Sequence, residues 1–428
     1  MARRARNGFR VIAALVLCVS LAACAEEETG PQFANEPAPT RPATETPVAA
    51  SPVVPVATPV LATPASVADL LATRGAPSRL FVAANDAVWA VTSGGSANRV
   101  FTAPEESRIV AIDAAPGGQR VAVLLTTTTT EGERTDVAIV DSDGEVVSRV
   151  EGLGTGMTTP TPGGSTATAA AIDWSPQADR ALVSFRNGAT VELPIGAEGV
   201  RTLIPPTGQS ESIIDPTWSP TGESIAFIAA SDDARTRTLN VLNVSEGTVD
   251  EVVAPSDGRF VVDYAWMPNG VSLLFTEGGD LSGAVTGIDL WRVDADGQNR
   301  ELVVSAGTVA PVARISTVRP SPDGRSVAYS VLVPGEAEPR VDSVWIRDLE
   351  SRLGFRIQAP AVTSIDDMMW TDRGLAIEVT TSRASSERPP ARALLHVNRD
   401  GSVSALWAAP IVSGTPVSGT PVATAAAG

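Results

Sequence analysis

Trp218-Ser219-Pro220-Thr221-Gly222 belongs to a set of related phrases that returns along the whole chain. The other copies are Trp174-Ser175-Pro176, Trp266-Met267-Pro268-Asn269-Gly270, Pro320-Ser321-Pro322-Asp323-Gly324 and Trp370-Thr371-Asp372-Arg373-Gly374, with a degenerate earlier one at Ala115-Pro116-Gly117-Gly118. An apolar run beginning Ile213-Ile214 leads into the Trp218 copy and Ile225-Ala226-Phe227-Ile228 leads out, so the phrase joins two strands through a tight turn. Pro pre-sets the backbone at the second turn position, and Gly supplies the positive φ that closes it. A Trp ahead of each turn has a large apolar body and one N–H, which suits a seam between packed sheets where an acceptor is in reach. These Trp residues read as packing groups.

Aligned on the Pro position, the six copies fall at 116, 176, 220, 268, 322 and 372, giving spacings of 60, 44, 48, 54 and 50 residues. A period of about 40 to 50 residues is what one four-stranded propeller blade consumes. A second device alternates with the first. Val137–Val140 precedes Asp141-Ser142-Asp143-Gly144, Leu290–Val293 precedes Asp294-Ala295-Asp296-Gly297, and Leu394–Val397 precedes Asn398-Arg399-Asp400-Gly401. Asp-Gly between alternating strands is a strong hairpin signal. Further hairpins read at Thr190–Leu203, Leu239–Val253 and Val344–Ile357, and one more at Val88–Phe101, so seven hairpins stand against six turns. The expected fold is all-β, a β-propeller of seven four-stranded blades whose first blade, Leu80–Phe101, has an incomplete or borrowed inner strand. A six-bladed ring with an extra N-terminal hairpin is the alternative. Radial repetition buries each sheet face against its neighbour.

The ends of the chain read differently. Arg3, Arg4, Arg6 and Arg10 precede an apolar stretch, Val11–Leu21, too short to span a bilayer comfortably, and Leu21-Ala22-Ala23-Cys24 follows. This is a secretory signal peptide, and its last four residues resemble the lipobox of bacterial lipoproteins. That resemblance implies cleavage before Cys24 and acylation of its thiol, with palmitate among the expected chains. Several acyl chains give stable attachment where one is marginal. Residues 24–76 are rich in Pro, Thr, Ala and Glu and read as a disordered tether, within which Val67–Leu71 reads as a helical turn docking on the first blade. Residues 77–409 form the propeller. Residues 410–428, where Gly-Thr-Pro-Val occurs at 414 and at 419, read as a low-complexity tail.

Composition excludes several chemistries. All 32 basic residues are Arg, so there is no Lys for a Schiff base, a P-loop or a Ser-Lys dyad. The one His, His396, lies inside an alternating strand and reads as a strand residue, not a catalytic base. Of the two Cys, Cys18 leaves with the signal and Cys24 is the acyl acceptor, which removes a disulfide and a His/Cys zinc site. Formal charge is −17, and loss of residues 1–23, with four Arg and no acids, takes it to −21. Nucleic acid, whose binding needs a basic patch, is not an expected partner. A cationic peptide or a basic face on another envelope protein suits this field better.

Two constellations are candidates for function. Asp113, Asp173, Asp215, Asp263, Asp366 and Asp367 lie just ahead of the tight turns, on the strands expected to be innermost. Radial blades would place these carboxylates around one mouth of the central channel, where they could hold a cation or receive an Arg or Lys of a partner. Between the two hairpins of each blade lie connections of variable length and charge, the kind of loop that carries function on a rigid scaffold. Arg235, Arg237, Arg340, Arg383 and Arg388 are their candidate contacts. The Asp-x-Asp-Gly turns lack the terminal Glu and remaining ligands of a calcium loop.

The alternation of a W-S-P-D-G-like turn with a D-x-D-G-like hairpin, from Arg79 to Trp407, resembles the TolB-type, WD-repeat-like propellers of bacterial envelope proteins. The resemblance implies the fold and an extracytoplasmic place at the cell membrane or outer membrane. The expected function is non-enzymatic binding of an envelope protein, a peptide or a glycan by a monomer anchored to the membrane at Cys24, with no cofactor and no metal. The alternatives are a hydrolase or lyase using the channel-mouth carboxylates or a bound metal, and an accessory lipoprotein of envelope signalling resembling the propeller of the actinobacterial LpqB proteins.

Overall fold

The computed structural model describes residues 67–410 apart from 72–74, 131, 154–168, 197–198, 207–210, 232–235, 255–258, 280–287, 310–312, 334–339, 359–361, 382–391 and 399. The described chain folds into seven antiparallel sheets in strict sequence order, the first of three strands and the other six of four. Blade 1 comprises Arg79–Ala84, Ala87–Thr92 and Ala97–Thr102. The first strands of blades 2 to 7 are Ser107–Ala114, Ala169–Trp174, Glu211–Trp218, Phe260–Trp266, Arg314–Pro320 and Val362–Thr371. Seven blades, not six, account for the turns and hairpins, and the missing inner strand of the first blade is absent among the described residues.

Seven separate apolar cores, one per pair of neighbours, show that the blades close a ring. Successive residues of a strand point to opposite faces. Accordingly Ala181 and Val183 pack toward blade 2 while Leu182 packs toward blade 4, and Leu273 and Phe275 pack toward blade 4 while Leu274 packs toward blade 6. These second strands are buried on both faces, which is why they read as continuous apolar runs. The ring closes where Leu80, Val82 and Val91 of blade 1 meet Ala376 and Leu394 of blade 7. Trp89 and Trp407 lie across the same seam with ring centroids 5.8 Å apart. Asn85 Nδ2 donates to the Pro410 carbonyl at 2.8 Å and Arg392 Nη1 to the Ala83 carbonyl at 3.0 Å.

The short helix Val67–Leu70 corrects the expectation that this segment docks on blade 1. Leu70 and Leu71 are buried with Val344, Ile346, Trp370 and Leu375, in the core between blades 6 and 7. Pro77, just ahead of blade 1, lies beside blade 7, where its carbonyl accepts from the amide of Asp372. Two adjacent leucines need a concave apolar site, and the seam beside the Trp370 turn supplies it.

The turn phrase behaves as its chemistry requires. The amides of Gly118, Ala178, Gly222, Gly270 and Gly324 each donate to the carbonyl three residues back, at 2.8 to 2.9 Å. Blade 3 places Ala178 in this position at φ 56°, where the other blades use Gly. The Ser of the phrase also works: Ser175, Ser219 and Ser321 Oγ accept from the amides of Arg180, Ser224 and Ser326 at 3.1, 3.1 and 2.9 Å.

Candidate functional site: an acidic channel mouth

Three of the turn Trp side chains stitch their blade to the one before it, while Trp218 Nε1 has no hydrogen-bond partner among the described residues. Trp174, Trp266 and Trp370 Nε1 donate to the carbonyls of Asp113, Thr217 and Arg319, at 2.9, 3.3 and 3.1 Å. The acceptor is always the residue just ahead of the equivalent turn in the preceding blade. In blades 2 and 3 that position, on the innermost strands bordering the channel, is occupied by Asp113 and Asp173, whereas in blade 7 it is Met369, packed in the seam with blade 1.

These carboxylates reach sideways into the next blade. Asp113 Oδ2 accepts from the Trp174 amide at 2.7 Å, Asp173 Oδ2 from the Trp218 amide at 2.8 Å, and Asp263 Oδ2 from the Val318 amide at 2.9 Å. Asp113 Oδ1 also accepts from the Ala114 amide at 2.9 Å. Each such bond pairs an inner-strand N–H that a three-way junction of sheet, turn and channel would otherwise leave unpaired.

The six acids do not occupy equivalent positions. Asp215, Asp263 and Asp367 stand three residues ahead of their Trp and Asp366 stands four ahead, beside ladder irregularities at Ile214/Thr217, Val261/Asp263 and Ile365/Asp367. A bulge inserts an extra residue and re-aims the side chains around it. Asp215 itself adopts φ 47° and its side chain is exposed to the channel. Asp366 turns aside to accept from Ser364 and Thr380 hydroxyls, both at 2.7 Å.

The set nevertheless forms one electrostatic neighbourhood. Burial pushes Asp113 up to about 6, against the two amide bonds that favour its charge, and Asp367 adds to the rise from across the gap left by the missing strand of blade 1. Asp173 is held well above the ordinary carboxylate range by burial and then by Asp113. Asp215 is raised by burial and by Asp263, with Arg319 opposing. Further out, burial raises Glu378 to about 7; Arg392 opposes, while Asp367 and Asp366 add.

One cation stands among them. Arg319 Nη2 contacts Asp367 Oδ1 at 2.7 Å, and its Nη1 lies 3.8 Å from Asp263 Oδ2. Burial acts to lower its guanidinium, but Asp367 and Asp263, with Asp215 behind them, outweigh that and hold it above its ordinary value. Arg319 fills in blade 6 the channel-facing position that Asp113 and Asp173 fill in theirs. Tyr264 supports the floor, its hydroxyl donating to the Ala226 carbonyl at 2.7 Å and contacting the Asp215 carbonyl and Thr217.

Among the loop candidates, Arg237 begins the third strand of blade 4 and stacks on Phe260, 5.6 Å from the ring centroid. Arg340 begins the third strand of blade 6. Arg235, Arg383, Arg388 and Cys24 lie outside the described residues. Among the described residues no group of three or more His, Cys, Asp or Glu is placed to hold a metal ion.

Fold and site together define a seven-bladed β-propeller with an acidic channel mouth. No family model and no curated protein matches the sequence. Solved structures do match by shape. A prolyl endopeptidase is 14% identical with a TM-score of 0.53, over 81% of this chain and 52% of its own, so this chain spans about half the length of that enzyme. An oligogalacturonate lyase in complex with manganese is 13% identical with a TM-score of 0.50, over 78% of this chain and 85% of its own. TolB of Agrobacterium tumefaciens is 16% identical with a TM-score of 0.41, over 57% and 82%. At such identities the likeness is one of fold.

Proposed function

We propose that this protein is a lipid-anchored, extracytoplasmic propeller that binds, without catalysis, an Arg or Lys side chain presented by an envelope protein or peptide at the acidic channel mouth. The observation that carries this reading is Arg319. A guanidinium from the chain's own blade 6 already lies between Asp367 and Asp263, with Asp215 behind them, so the mouth fits that group and three carboxylates act on one cation. Burial is the main cause that raises Asp215, Asp173 and Asp113, and a second cation entering opposite Asp215 would relieve the carboxylate repulsion that adds to it. Cationic side chains are favoured over a neutral glycan for the same reason.

The carboxylates argue against a hydrolytic or lyase role. Asp113, Asp173 and Asp263 are each bound to a backbone amide of the following blade, and His396 lies on the third strand of blade 7, remote from the inner strands. Cys24, acylated once the stretch before it is removed, supplies the anchor in this reading.

A photo-crosslinking residue in place of Ala114, exposed beside Asp113, tests the reading in intact envelopes. Adducts are expected from this site, to be lost in Asp215→Asn/Asp263→Asn, with none from a control at Val147 on the outer edge of blade 2. Equal adducts with and without the two carboxylates would overturn it.

A further inference from the structure

The seam that closes the ring also holds a cleft of about 490 Å³, between the outer strands of blade 7 and the Ser93-Gly94-Gly95 turn of blade 1. Arg373, His396, Asn398 and Ser404 supply its polar wall from blade 7, and Ala405 and Leu406 an apolar one. Among the described residues no carboxylate lines it. In a chain of 49 acids and 32 Arg, that exclusion sets the cleft apart from the channel mouth.

Its two cationic or potentially cationic groups are free to act on a ligand. The Arg373 guanidinium lies beside Gly94, where a Cβ would meet Nη1 at 3.7 Å and Nη2 at 3.8 Å, in ordinary van der Waals contact. Arg373 forms no ion pair among the described residues. His396 is 9% exposed, on the strand face that carries Leu394 toward blade 1. Asn398 Nδ2 donates to Ser402 and Ser404 hydroxyls at 3.0 and 3.3 Å, which fixes Asn398 Oδ1 toward His396 Nδ1 at 3.1 Å. Nδ1 therefore donates. Nε2 is buried without a hydrogen-bond partner among the described residues, a costly arrangement for a polar atom.

We propose that this seam cleft binds the carboxylate of an organic acid or of a peptide C-terminus. Arg373 donates to one or both oxygens. His396 takes up one proton at Nε2 from solvent and donates it in a hydrogen bond to the same group, while Ala405 and Leu406 cover the carbon chain. The proton is not consumed, and binding adds one proton and one carboxylate to the cleft. Asn398 and Ser404 from blade 7, Arg373 from its turn, and Ser93 and Gly94 from blade 1 share the cleft with His396, so among the described residues no acid of the cleft wall competes for that proton. With one fixed positive charge and one inducible one, the cleft matches a monoanion.

Because His396 is the only histidine, nitrogen-15 histidine labelling of the full chain reports on this one imidazole. Titration with propionate, with trialanine free acid and with trialanine amide, at constant ionic strength set by chloride, tests the site. The Nε2 resonance is expected to move saturably toward the protonated position with one or both acids and to ignore the amide. A response to propionate alone assigns a small acid, and a response to the peptide acid assigns a chain terminus. Arg373→Gln, at an exposed position, should weaken binding about tenfold or more. No saturable response to either acid, or an affinity unchanged in Arg373→Gln, would overturn the proposal.

Discussion

Asp113→Asn is the substitution whose effect reverses with pH if the channel mouth is electrostatically crowded. Asp113 rises from the ordinary 3.8 to about 6, chiefly through burial. The folded state thus keeps its proton to higher pH than the unfolded chain does. Stability from this group is greatest below 3.8 and declines as pH rises through 6. A rise of about 2 pH units at about 1.4 kcal/mol each sets an upper limit of about 3 kcal/mol, which channel water reduces because the side chain is only half-buried. Asn keeps the bond from the Trp174 amide but turns an N–H toward the Ala114 amide, a loss of about 1 kcal/mol at any pH. The variant should therefore be more stable than wild type by about 1 to 2 kcal/mol at about pH 8 and less stable at about pH 4. Urea unfolding followed by Trp fluorescence at both pH values measures this. A variant less stable than wild type at both would refute the reasoning.

Other perturbations probe the scaffold and the anchor. Asp136 is fully buried in blade 2, where it accepts from Thr127 at 2.8 Å, from the Gly152 amide at 3.0 Å and from Arg134 Nη2 at 3.0 Å; Asp136→Ala should cost about 3 to 5 kcal/mol in urea unfolding, because it strands these donors. Ala178→Gly should raise stability by about 0.5 to 1 kcal/mol in the same assay, since a left-handed Ala costs about 1 to 2 kcal/mol and the added unfolded-state freedom returns only part of it. Cys24→Ser should abolish incorporation of a clickable palmitate analogue and release the protein from membranes in a sedimentation assay.

Much of this architecture was legible because each turn needs the same chemistry. Pro, Gly and a seam-filling Trp recur wherever an inner strand turns back, so the six turns could be counted directly, and the hairpins supplied the seventh blade. The inner strand missing from blade 1 is visible as a hairpin, Val88–Phe101, with no turn phrase before it. The acids were found as a set because they precede those turns, but their unequal roles were not visible. Bulges at Asp215, Asp263 and Asp367 break the alternation that would tell a channel-facing residue from a seam-facing one. Arg319 is hard to find in the sequence because its blade opens the phrase with Pro320 in place of Trp; alignment on Pro322 puts it in register with Asp113 and Asp173. The docking place of Leu70 and Leu71 was illegible for a different reason. Two leucines fit any apolar groove, and only the closed ring shows that the groove between blades 6 and 7 is the one left open.

The central claim is that the channel mouth receives a cationic side chain. Its most direct test is the calorimetric affinity of the full chain for a tri-arginine amide, which carries no carboxylate for the seam cleft. Affinity should fall steeply with salt, weaken about tenfold or more in Asp215→Asn/Asp263→Asn, and stay unchanged in Arg373→Gln. Equal affinity in wild type and the channel-mouth variant would contradict the account.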